Sequence, residues 1–252
     1  MQKIVFDGDD TLWSVEWLYS QAYADFFSYL YEVFGCYTPN IHFIYKVFFA
    51  NEDKNAKTMG IRRGRVAQSM ADTYTQLCEW IAGRTGDKLY HQAVEETVRK
   101  IGDQPFDIKK HLWVPGAQET LHALVEKGNT LCLLTKYERT LWPQKAALLG
   151  TSRFFENGNI RIVDTRKTLE DFLEVSRASD HAGDRLFTVG NSEGDMLPVI
   201  HDSRWHGFYV PQSSSFMLEK DRMPDSTSFE PKPYRHDRVT TLASIRDLAA
   251  YF

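Results

Sequence analysis

Apolar residues follow two different patterns along this chain, and the position where the pattern changes divides it. Residues 4–6 form a short apolar run that ends in a polar loop, which predicts a buried β-strand. From about residue 14 to residue 107, apolar residues recur at steps of three and four, which predicts helices. The predicted helices cover about 19–34, 41–49, 66–81 and 89–101, and together they suggest a small helical bundle.

After residue 105 the pattern predicts an alternation of strands and helices. A helix begins at Pro115 and Gly116 and ends before Gly128, and short apolar runs follow at 131–134, 160–163, 186–189 and 208–210. Buried strands that alternate with helices are typical of a parallel sheet with helices on both faces. Residues 211–238 carry four prolines and five serines and are predicted to form a long surface excursion. Residues 239–245 and the region around Leu248 then return to the sheet and a closing helix.

The first predicted strand lies far in sequence from the others, and the helical segment separates them. We therefore predict an α/β fold in which a doubly wound parallel sheet is interrupted by a helical cap. The core comprises residues 1–13 and 108–252, and the inserted helical-bundle cap comprises residues 14–107.

Composition and charge narrow the class of protein. Of the 252 residues, 42% are hydrophobic and 25% are charged, which is ordinary for a globular chain. The net charge of -4 predicts no broad basic face for nucleic acid, and no apolar run reaches the roughly 18 residues of a membrane span. The three cysteines are scattered, and the N-terminus turns acidic too early for a signal peptide. We expect a soluble cytoplasmic protein that binds neither nucleic acid nor membranes, and the sequence carries no signal for its oligomeric state.

Two acidic residues follow the first predicted strand, where an open parallel sheet collects its functional side chains. Asp7 and Asp9 point the same way because they are two apart in extended backbone. Two such carboxylates repel each other by about 4 kcal/mol at ~4 Å with an effective dielectric constant near 20, so the pair needs a cation or a shared proton. A solvated acidic turn is the alternative, since Asp and Gly are common in turns.

Polar residues also follow the later strands. Thr135 is either an ordinary strand-end threonine or a hydroxyl that binds an oxyanion. Lys167 is either a solvated surface charge or a cation within reach of the site. Asn191 and Asp195 offer oxygen ligands for a hard cation, although an acid in the first turn of a helix also stabilises the helix dipole.

The order of these residues resembles that of the haloacid dehalogenase-like hydrolases. That family carries a D-x-D-x-T motif, then a strand-end Thr or Ser, then a Lys, and then an acidic motif that usually begins Gly-Asp. The corresponding residues here are Asp7, Asp9 and Thr11, followed by Thr135, Lys167 and residues 190–195. The insertion point of the helical segment also resembles that of family members with a helical cap, and the sequence DTLW at 10–13 looks like a branch of capped small-molecule phosphatases.

The resemblance implies a Mg²⁺-dependent phosphatase that hydrolyses a small phosphorylated metabolite through an aspartyl-phosphate. Asp7 is then the nucleophile, and Asp9 is the general acid and base. Protonation of the leaving group requires that the neutral form of Asp9 be favoured in the first step. Thr135 and Lys167 would hold the phosphoryl group, and Trp13, which directly follows the catalytic loop, is a further candidate for substrate binding.

The implied Mg²⁺ ligands are the Asp7 carboxylate, the Asp9 carbonyl group and either Asn191 or Asp195. This chain departs from the family pattern here, because Gly190 is followed by Asn191 rather than by Asp, which removes one negative charge. The usual Lys-Pro of the third motif is replaced as well, by Lys-Thr at 167–168. Arg166 is a second candidate cation, but the compact ammonium of a lysine suits a site beside a carboxylate nucleophile better.

Two groups of side chains in the cap segment have an ordinary and a functional interpretation. The aromatic stripe is expected to form the cap core, and the basic cluster is either a solvated face or a contact for an anionic substrate. The stripe comprises Tyr23, Phe26, Phe27 and Phe34, and the basic cluster comprises Lys54, Lys57, Arg62, Arg63 and Arg65.

Three other functions remain open for this sequence. A haloacid dehalogenase also uses an Asp nucleophile, but dehalogenases of this kind lack the second Asp of the first motif, so Asp9 favours phosphate chemistry. A phosphonatase or phosphomutase is a second alternative, although no dedicated cap nucleophile is apparent. A catalytically silent binding protein is the third alternative. Asn191 is the one feature that favours it, and retention of Asp7, Asp9, Thr135 and Lys167 argues against it.

Overall fold

The computed structural model describes residues 2–60, 62–177, 185–211 and 234–252. Most of the surface excursion predicted for 211–238 therefore lies outside the described residues. The chain divides into two compact units, of which the first comprises Met1–Trp17 and Lys109–Phe252 and the second comprises Leu18–Ile108. Within the described ranges, no helix is long and apolar enough to cross a membrane.

A six-stranded parallel sheet forms the centre of the first unit. Numbered in chain order, its strands lie in the order β5-β4-β1-β6-β7-β8, so β1 is central. A separate antiparallel pair joins β2 (Trp13–Ser14) to β3 (Leu112–Trp113). The strands of the main sheet are β1 (Gln2–Phe6), β4 (Thr130–Lys136), β5 (Ile160–Val163), β6 (Arg185–Gly190), β7 (Trp205–Tyr209) and β8 (Val239–Thr241).

Helices cover both faces of this sheet. Alternate residues of a strand point to opposite faces of the sheet. The strand residues on one face pack against helices α7 (Leu169–Ser176) and α8 (Leu197–His201). The residues of β1 and β4 that point the other way are also buried, and α5 (Ala117–Glu126) packs against β4 and against the closing 3-10 helix Ile245–Tyr251. Among the described residues of this unit, the remaining α-helix is α6 (Trp142–Leu149). The predicted α/β fold with a doubly wound parallel sheet is confirmed.

The described residues of the second unit form four α-helices. They are α1 (Glu16–Phe34), which begins in the first unit, α2 (Ile41–Met59), α3 (Arg65–Thr85) and α4 (Gln92–Asp103). Their apolar faces form one buried cluster, which includes Tyr23, Phe26 and Phe34, with Phe27 packed against it. The aromatic stripe therefore lies in the core of this helical unit, as expected.

Helix α2 continues ten residues beyond its predicted end at residue 49. Its last turns bury polar side chains, which hydrophobic periodicity does not register. Glu52 accepts a hydrogen bond from Ser69 at 2.7 Å and forms an ion pair with Arg65. Arg65 therefore does not belong to a solvated basic face, whereas Arg62, which the same cluster includes, is exposed.

Two further differences from the predicted strands have local causes. The strand predicted at 208–210 begins three residues earlier, because the exposed His206 and the following Gly207 interrupt the apolar run in the sequence. The β2–β3 pair was not predicted, since two-residue strands have no periodicity of their own. Its two strands lie on either side of the helical segment in the sequence, and Trp13 packs edge-on against its partner Trp113, with ring centroids 5.8 Å apart.

Candidate active site

The carboxyl end of β1 is the point at which the chain order of the sheet reverses. Strands β4 and β5 lie on one side of β1, and strands β6 to β8 lie on the other. Ligands of open parallel sheets bind in the crevice at such a reversal. Asp7 is the first residue beyond β1, and its main-chain N–H donates to the carbonyl group of Val189 at the end of β6, at 2.9 Å.

Lys167 joins two carboxylates at this edge of the sheet. Its Nζ donates to Oδ1 of Asp7 at 2.6 Å and to Oδ1 of Asp195 at 2.5 Å. All three side chains are at least nine-tenths buried. One buried ammonium thus faces two buried carboxylates, which leaves this group of charges negative by one if both carboxylates are ionised.

The pKa values of the three residues follow from that imbalance. Burial raises the pKa of Asp7 to about 7, the Asp195 carboxylate adds to this rise, and Lys167 opposes it. Burial acts in the same direction on Asp195, but the charge and hydrogen bond of Lys167 outweigh it and hold the pKa of Asp195 below its ordinary value. Burial also disfavours the charged form of Lys167, and the two carboxylates overcome it and raise its pKa to about 12.

Local structure fixes Lys167 and Asp195 in these positions. Lys167 directly precedes Thr168, which caps α7 in a reciprocal pair with Asp171. Asp195 forms the same kind of pair with Ser192, whose N–H and Oγ both donate to Asp195 Oδ2, at 2.9 and 2.7 Å. Both oxygens of Asp195 therefore accept hydrogen bonds from the protein.

The Asp195 carboxyl group also depends on a glycine at the end of β6. A Cβ atom built on Gly190 would overlap the Asp195 side chain, so only a residue without a side chain lets that carboxyl approach β6 so closely. Asn191 follows, and its Oδ1 accepts a hydrogen bond from the Thr11 hydroxyl at 3.1 Å. The amide oxygen of Asn191 is thereby held towards the loop that follows β1.

The oxygen atoms here have the chemistry that Mg²⁺ requires. A hard cation prefers carboxylate, carbonyl and amide oxygens, and the predicted ligands supply such oxygens: the Asp7 carboxylate, the Asp9 main-chain carbonyl and either the Asn191 amide or the Asp195 carboxylate. When Asp7 and Asp195 are both ionised, the excess negative charge around Lys167 also favours a bound cation. No cluster of three His, Cys, Asp or Glu side chains arranged for a metal occurs in the described part of the chain.

Thr135 lies beside the loop that carries the two aspartates. The parallel register pairs Phe6 with Leu133, and its extension by two residues brings Gly8 beside Thr135. Thr135 Oγ1 lies 2.7 Å from the position that a Cβ on Gly8 would take. This hydroxyl is buried and makes no hydrogen bond within the described residues. A buried polar group without a partner is costly, and such groups occur at sites that bind a ligand or an ordered water.

Asp9 is held by a residue that the sequence analysis did not single out. Lys145 of α6 is 0% exposed, and its Nζ donates to Oδ1 of Asp9 at 2.6 Å. The indole N–H of Trp13 donates to the same oxygen at 2.5 Å. The Asp9 side chain nevertheless keeps one third of its surface exposed (33%).

These contacts favour the charged form of Asp9. Burial acts to raise its pKa, but the charge and hydrogen bond of Lys145, the Trp13 hydrogen bond and the charge of His111 outweigh burial and lower the pKa below its ordinary value. The requirement that the surroundings favour the neutral form is therefore not met in this structure, in which Asp9 is held as a carboxylate.

Trp13 itself is 0% exposed. Its ring packs against the backbone of Gly8, where a Cβ atom would overlap it. The structure gives Trp13 contacts that hold the loop and the Asp9 carboxylate, and it leaves no surface of the ring for a substrate.

A sequence signal for Lys145 exists, but it is weak. The helix sequence WPQKAALL places Lys145 one turn before Leu149, which is buried, so the lysine lies on the inward face. A lysine on an inward face needs a charged partner, and nothing in the sequence indicates that this partner is Asp9, which lies 136 residues away.

Neither a protein-family model nor a curated protein sequence matches this chain. Solved structures do match it. A haloacid dehalogenase-like family hydrolase from Xanthomonas campestris aligns with a TM-score of 0.68 and 22% identity, over 100% of this chain and 90% of that one. A 2-haloacid dehalogenase from Pseudomonas syringae aligns with a TM-score of 0.52 and 15% identity, over 99% and 97% of the two chains.

A third solved structure is a HAD-hydrolase of Bacillus subtilis bound to magnesium, which aligns with a TM-score of 0.53 and 13% identity, over 99% of this chain and 97% of that one. The alignments span nearly the whole chain, including the helical unit. The chain therefore has the haloacid dehalogenase-like fold that the order of its motifs predicted.

Proposed function

We propose that this protein is a Mg²⁺-dependent phosphatase that hydrolyses a small phosphate monoester through an aspartyl-phosphate. The main observation behind this proposal is the contact between Asp7 and Lys167. One oxygen of Asp7 is bound to the ammonium at 2.6 Å, and the other makes no hydrogen bond within the described residues. A carboxylate with one oxygen held and one oxygen open is suited to nucleophilic attack.

Positive charge near the nucleophile is necessary because a carboxylate and a phosphate ester repel each other. Lys167 supplies one positive charge beside Asp7. A bound Mg²⁺ would supply two more and would polarise the phosphoryl group. Asp7, the Asp9 carbonyl and Asn191 would hold the ion, while Asp195 fixes Lys167 through an ion pair at 2.5 Å.

In the first step, the open Asp7 oxygen attacks phosphorus, and the bond between phosphorus and the ester oxygen breaks. Asp9 in its acid form donates the proton that the leaving oxygen takes up. Asp9 rests as a carboxylate, and the negative charge of a bound phosphate ester shifts it towards the acid form. Asp9 then carries the proton only while the substrate is present.

In the second step, water attacks the aspartyl-phosphate, and the Asp9 carboxylate accepts a proton from that water. The bond between phosphorus and the Asp7 oxygen breaks, which releases phosphate and restores Asp7. The hydroxyl of Thr135 is buried beside Gly8 without a partner, and we assign it a hydrogen bond to a phosphoryl oxygen. Trp13 holds Asp9 in this proposal and does not contact the substrate.

A second carboxylate separates this proposal from haloacid dehalogenation. Asp9 reaches the same edge of the sheet as Asp7, and its side chain is one third exposed (33%). A dehalogenase needs a carboxylate nucleophile but no acid for a halide leaving group, because a halide leaves without a proton.

The test is a screen of phosphate monoesters, including 4-nitrophenyl phosphate, with the full chain in Mg²⁺ and in EDTA. We expect phosphate release that EDTA abolishes and that Asp7→Asn abolishes while its thermal unfolding stays cooperative. Wild-type rates in the Asp7→Asn variant, or phosphate release that ignores EDTA, contradict the proposal. Chloride release from 2-chloropropionate without phosphate release would instead favour a dehalogenase.

A further inference from the structure

Lys145 is an unusual residue to find in the interior of this unit. It is 0% exposed, although a buried ammonium costs several kcal/mol of desolvation free energy unless it is paired. An apolar side chain of the same length would fill the space without that cost. The lysine therefore needs an explanation other than packing.

The Lys145 ammonium contacts one carboxylate, that of Asp9, and two aromatic rings among the described residues. Its Nζ lies 2.6 Å from Asp9 Oδ1, 4.1 Å from the centre of the Tyr137 ring and 5.1 Å from that of Trp13. Aromatic faces attract a cation but do not replace a carboxylate. Asp9 is the only carboxylate that pairs with Lys145 among the described residues.

The same contacts leave Asp9 with two different oxygens. Oδ1 accepts hydrogen bonds from both Lys145 and Trp13. Oδ2 makes none within the described residues, and the side chain remains one third exposed (33%). With one oxygen bound by two donors, the carboxyl group cannot rotate freely, and the open oxygen keeps a fixed direction.

We propose that Lys145 is a positioning residue that holds Oδ1 of Asp9, so that Oδ2 is the oxygen that exchanges a proton with the leaving group and with water. This inference rests on the proposed phosphatase function and adds a residue to it. Lys145 touches no substrate, because it is 0% exposed, and acts only through Asp9. The arrangement parallels that of Asp7, whose Oδ1 is held by Lys167 while its other oxygen stays open.

The experiment compares Lys145→Met, Asp9→Asn and the double variant on two substrates in Mg²⁺. 4-Nitrophenyl phosphate has a leaving group that departs without a proton, whereas an alkyl phosphate needs one. General acid–base catalysis contributes roughly 10² to 10⁴ in rate. The leaving group departs in the first step, whereas the water step is common to both esters. We therefore expect Lys145→Met to lower the single-turnover rate of leaving-group release at least 10-fold for the alkyl phosphate and less than about threefold for the nitrophenyl ester. In the Asp9→Asn background, Lys145→Met should change neither rate further.

Lys127→Met is the matched control, because Lys127 is exposed and its Nζ donates to the carbonyl group of Ala249. It should leave both rates unchanged. Lys145→Met is expected to fold, since water can reach the partly exposed Asp9 and replace the lost ammonium. Unfolding in urea without metal checks this. The free energies of unfolding of the wild type, Lys145→Met, Asp9→Asn and the double variant also give the coupling free energy between Lys145 and Asp9 independently of activity.

Equal losses on the two substrates overturn the inference, because a merely structural lysine would lower both rates in proportion. A loss that multiplies with that of Asp9→Asn overturns it as well. A Lys145→Met protein that does not unfold cooperatively would show that the lysine is required for folding, which also overturns it. If the wild-type protein releases no phosphate from any ester, the proposed function fails first, and this inference fails with it.

Discussion

The ammonium group of Lys167 lies 2.6 Å from the Asp7 carboxylate and 2.5 Å from the Asp195 carboxylate. One ammonium group therefore forms ion pairs with two carboxylates, one of which follows β1 and the other β6. Asp195 uses its other oxygen to accept from Ser192, whereas Asp7 leaves its other oxygen open. The two acids thus differ in their contacts, and in the proposed function Asp195 orients the lysine for Asp7.

Replacement of this cation is expected to destabilise the fold as well as to inactivate the site. Lys167→Met leaves two buried carboxylates without a cation, and breaking a buried ion pair from one side costs about 3 kcal/mol or more. Urea unfolding without metal measures the loss. The double variant with Asp195→Asn should recover part of it, because one of the two unpaired charges is then gone. Full stability in the single variant would contradict the buried ion pairs.

Thr135 and Thr188 form a matched pair for separating stability from function. Both are buried at 1% exposure, but Thr188 donates to the Asp195 carbonyl group at 2.8 Å, whereas Thr135 has no partner within the described residues. Thr135→Val should leave the free energy of unfolding unchanged or raise it by up to about 1 kcal/mol, and Thr188→Val should lower it by about 1 to 2 kcal/mol.

The same Thr135→Val variant should lose activity in spite of its stability. If the hydroxyl of Thr135 binds a phosphoryl oxygen, its removal raises KM or lowers kcat for a phosphate ester. Steady-state kinetics on 4-nitrophenyl phosphate measures both constants. A variant that is as active as the wild type would remove Thr135 from the site.

The sequence was sufficient to predict which strand ends meet. Asp7, Thr135 and the segment 190–195 each follow a short apolar run, and parallel strands bring their carboxyl ends to one edge of the sheet. Lys167 follows from the resemblance, because its distance from the end of β5 does not by itself distinguish it from a surface lysine. The structure adds the hydrogen bonds that make it a partner of two acids.

Buried polar side chains were the part that hydrophobic patterns could not predict. Lys145 lies on the inward face of α6, and Asn51 and Glu52 lie on the inward face of α2. A periodicity analysis counts such residues as exposed, although each one has a polar partner distant in sequence. This is why α2 was predicted ten residues too short and why the partner of Asp9 was missed.

Substitutions of Asn191 test whether this residue binds Mg²⁺ and leave the other proposed ligands in place. Asn191→Asp introduces the negative charge that the usual Gly-Asp motif carries. In the structure the Thr11 hydroxyl donates to the Asn191 amide oxygen at 3.1 Å, and a carboxylate oxygen at this position can accept the same hydrogen bond. An added carboxylate ligand should tighten Mg²⁺ binding roughly tenfold, which corresponds to about 1.4 kcal/mol. Calorimetric titration of Mg²⁺ measures the affinity, and Asn191→Ala should weaken it. An affinity that is the same in all three proteins would show that residue 191 is not a ligand.

The helix cap at the N-terminus of α7 lies directly after Lys167. Asp171 Oδ2 accepts from the N–H and the hydroxyl of Thr168, both at 2.8 Å, and Oδ1 accepts from Arg161 at 2.6 Å. Burial acts to raise the pKa of Asp171, but these hydrogen bonds and the Arg161 charge outweigh it and lower the pKa. The charged form is therefore stabilised in the folded state.

A lowered pKa fixes the direction of the pH dependence. The stabilisation by Asp171 is fully present above the ordinary pKa of about 3.9 and is lost as the pH falls through the lower pKa of the folded state. Asp171→Asn should lower the free energy of unfolding by about 1 kcal/mol at pH 7, and the difference from the wild type should shrink as the pH falls below about 4. Urea unfolding at pH 7 and at a pH below about 4 measures this difference in the free energy of unfolding. Asp53→Asn, at an exposed position of α2, is the control and should differ little from the wild type at either pH. A difference between Asp171→Asn and the wild type that stays constant with pH would mean that the carboxylate charge does not stabilise the cap.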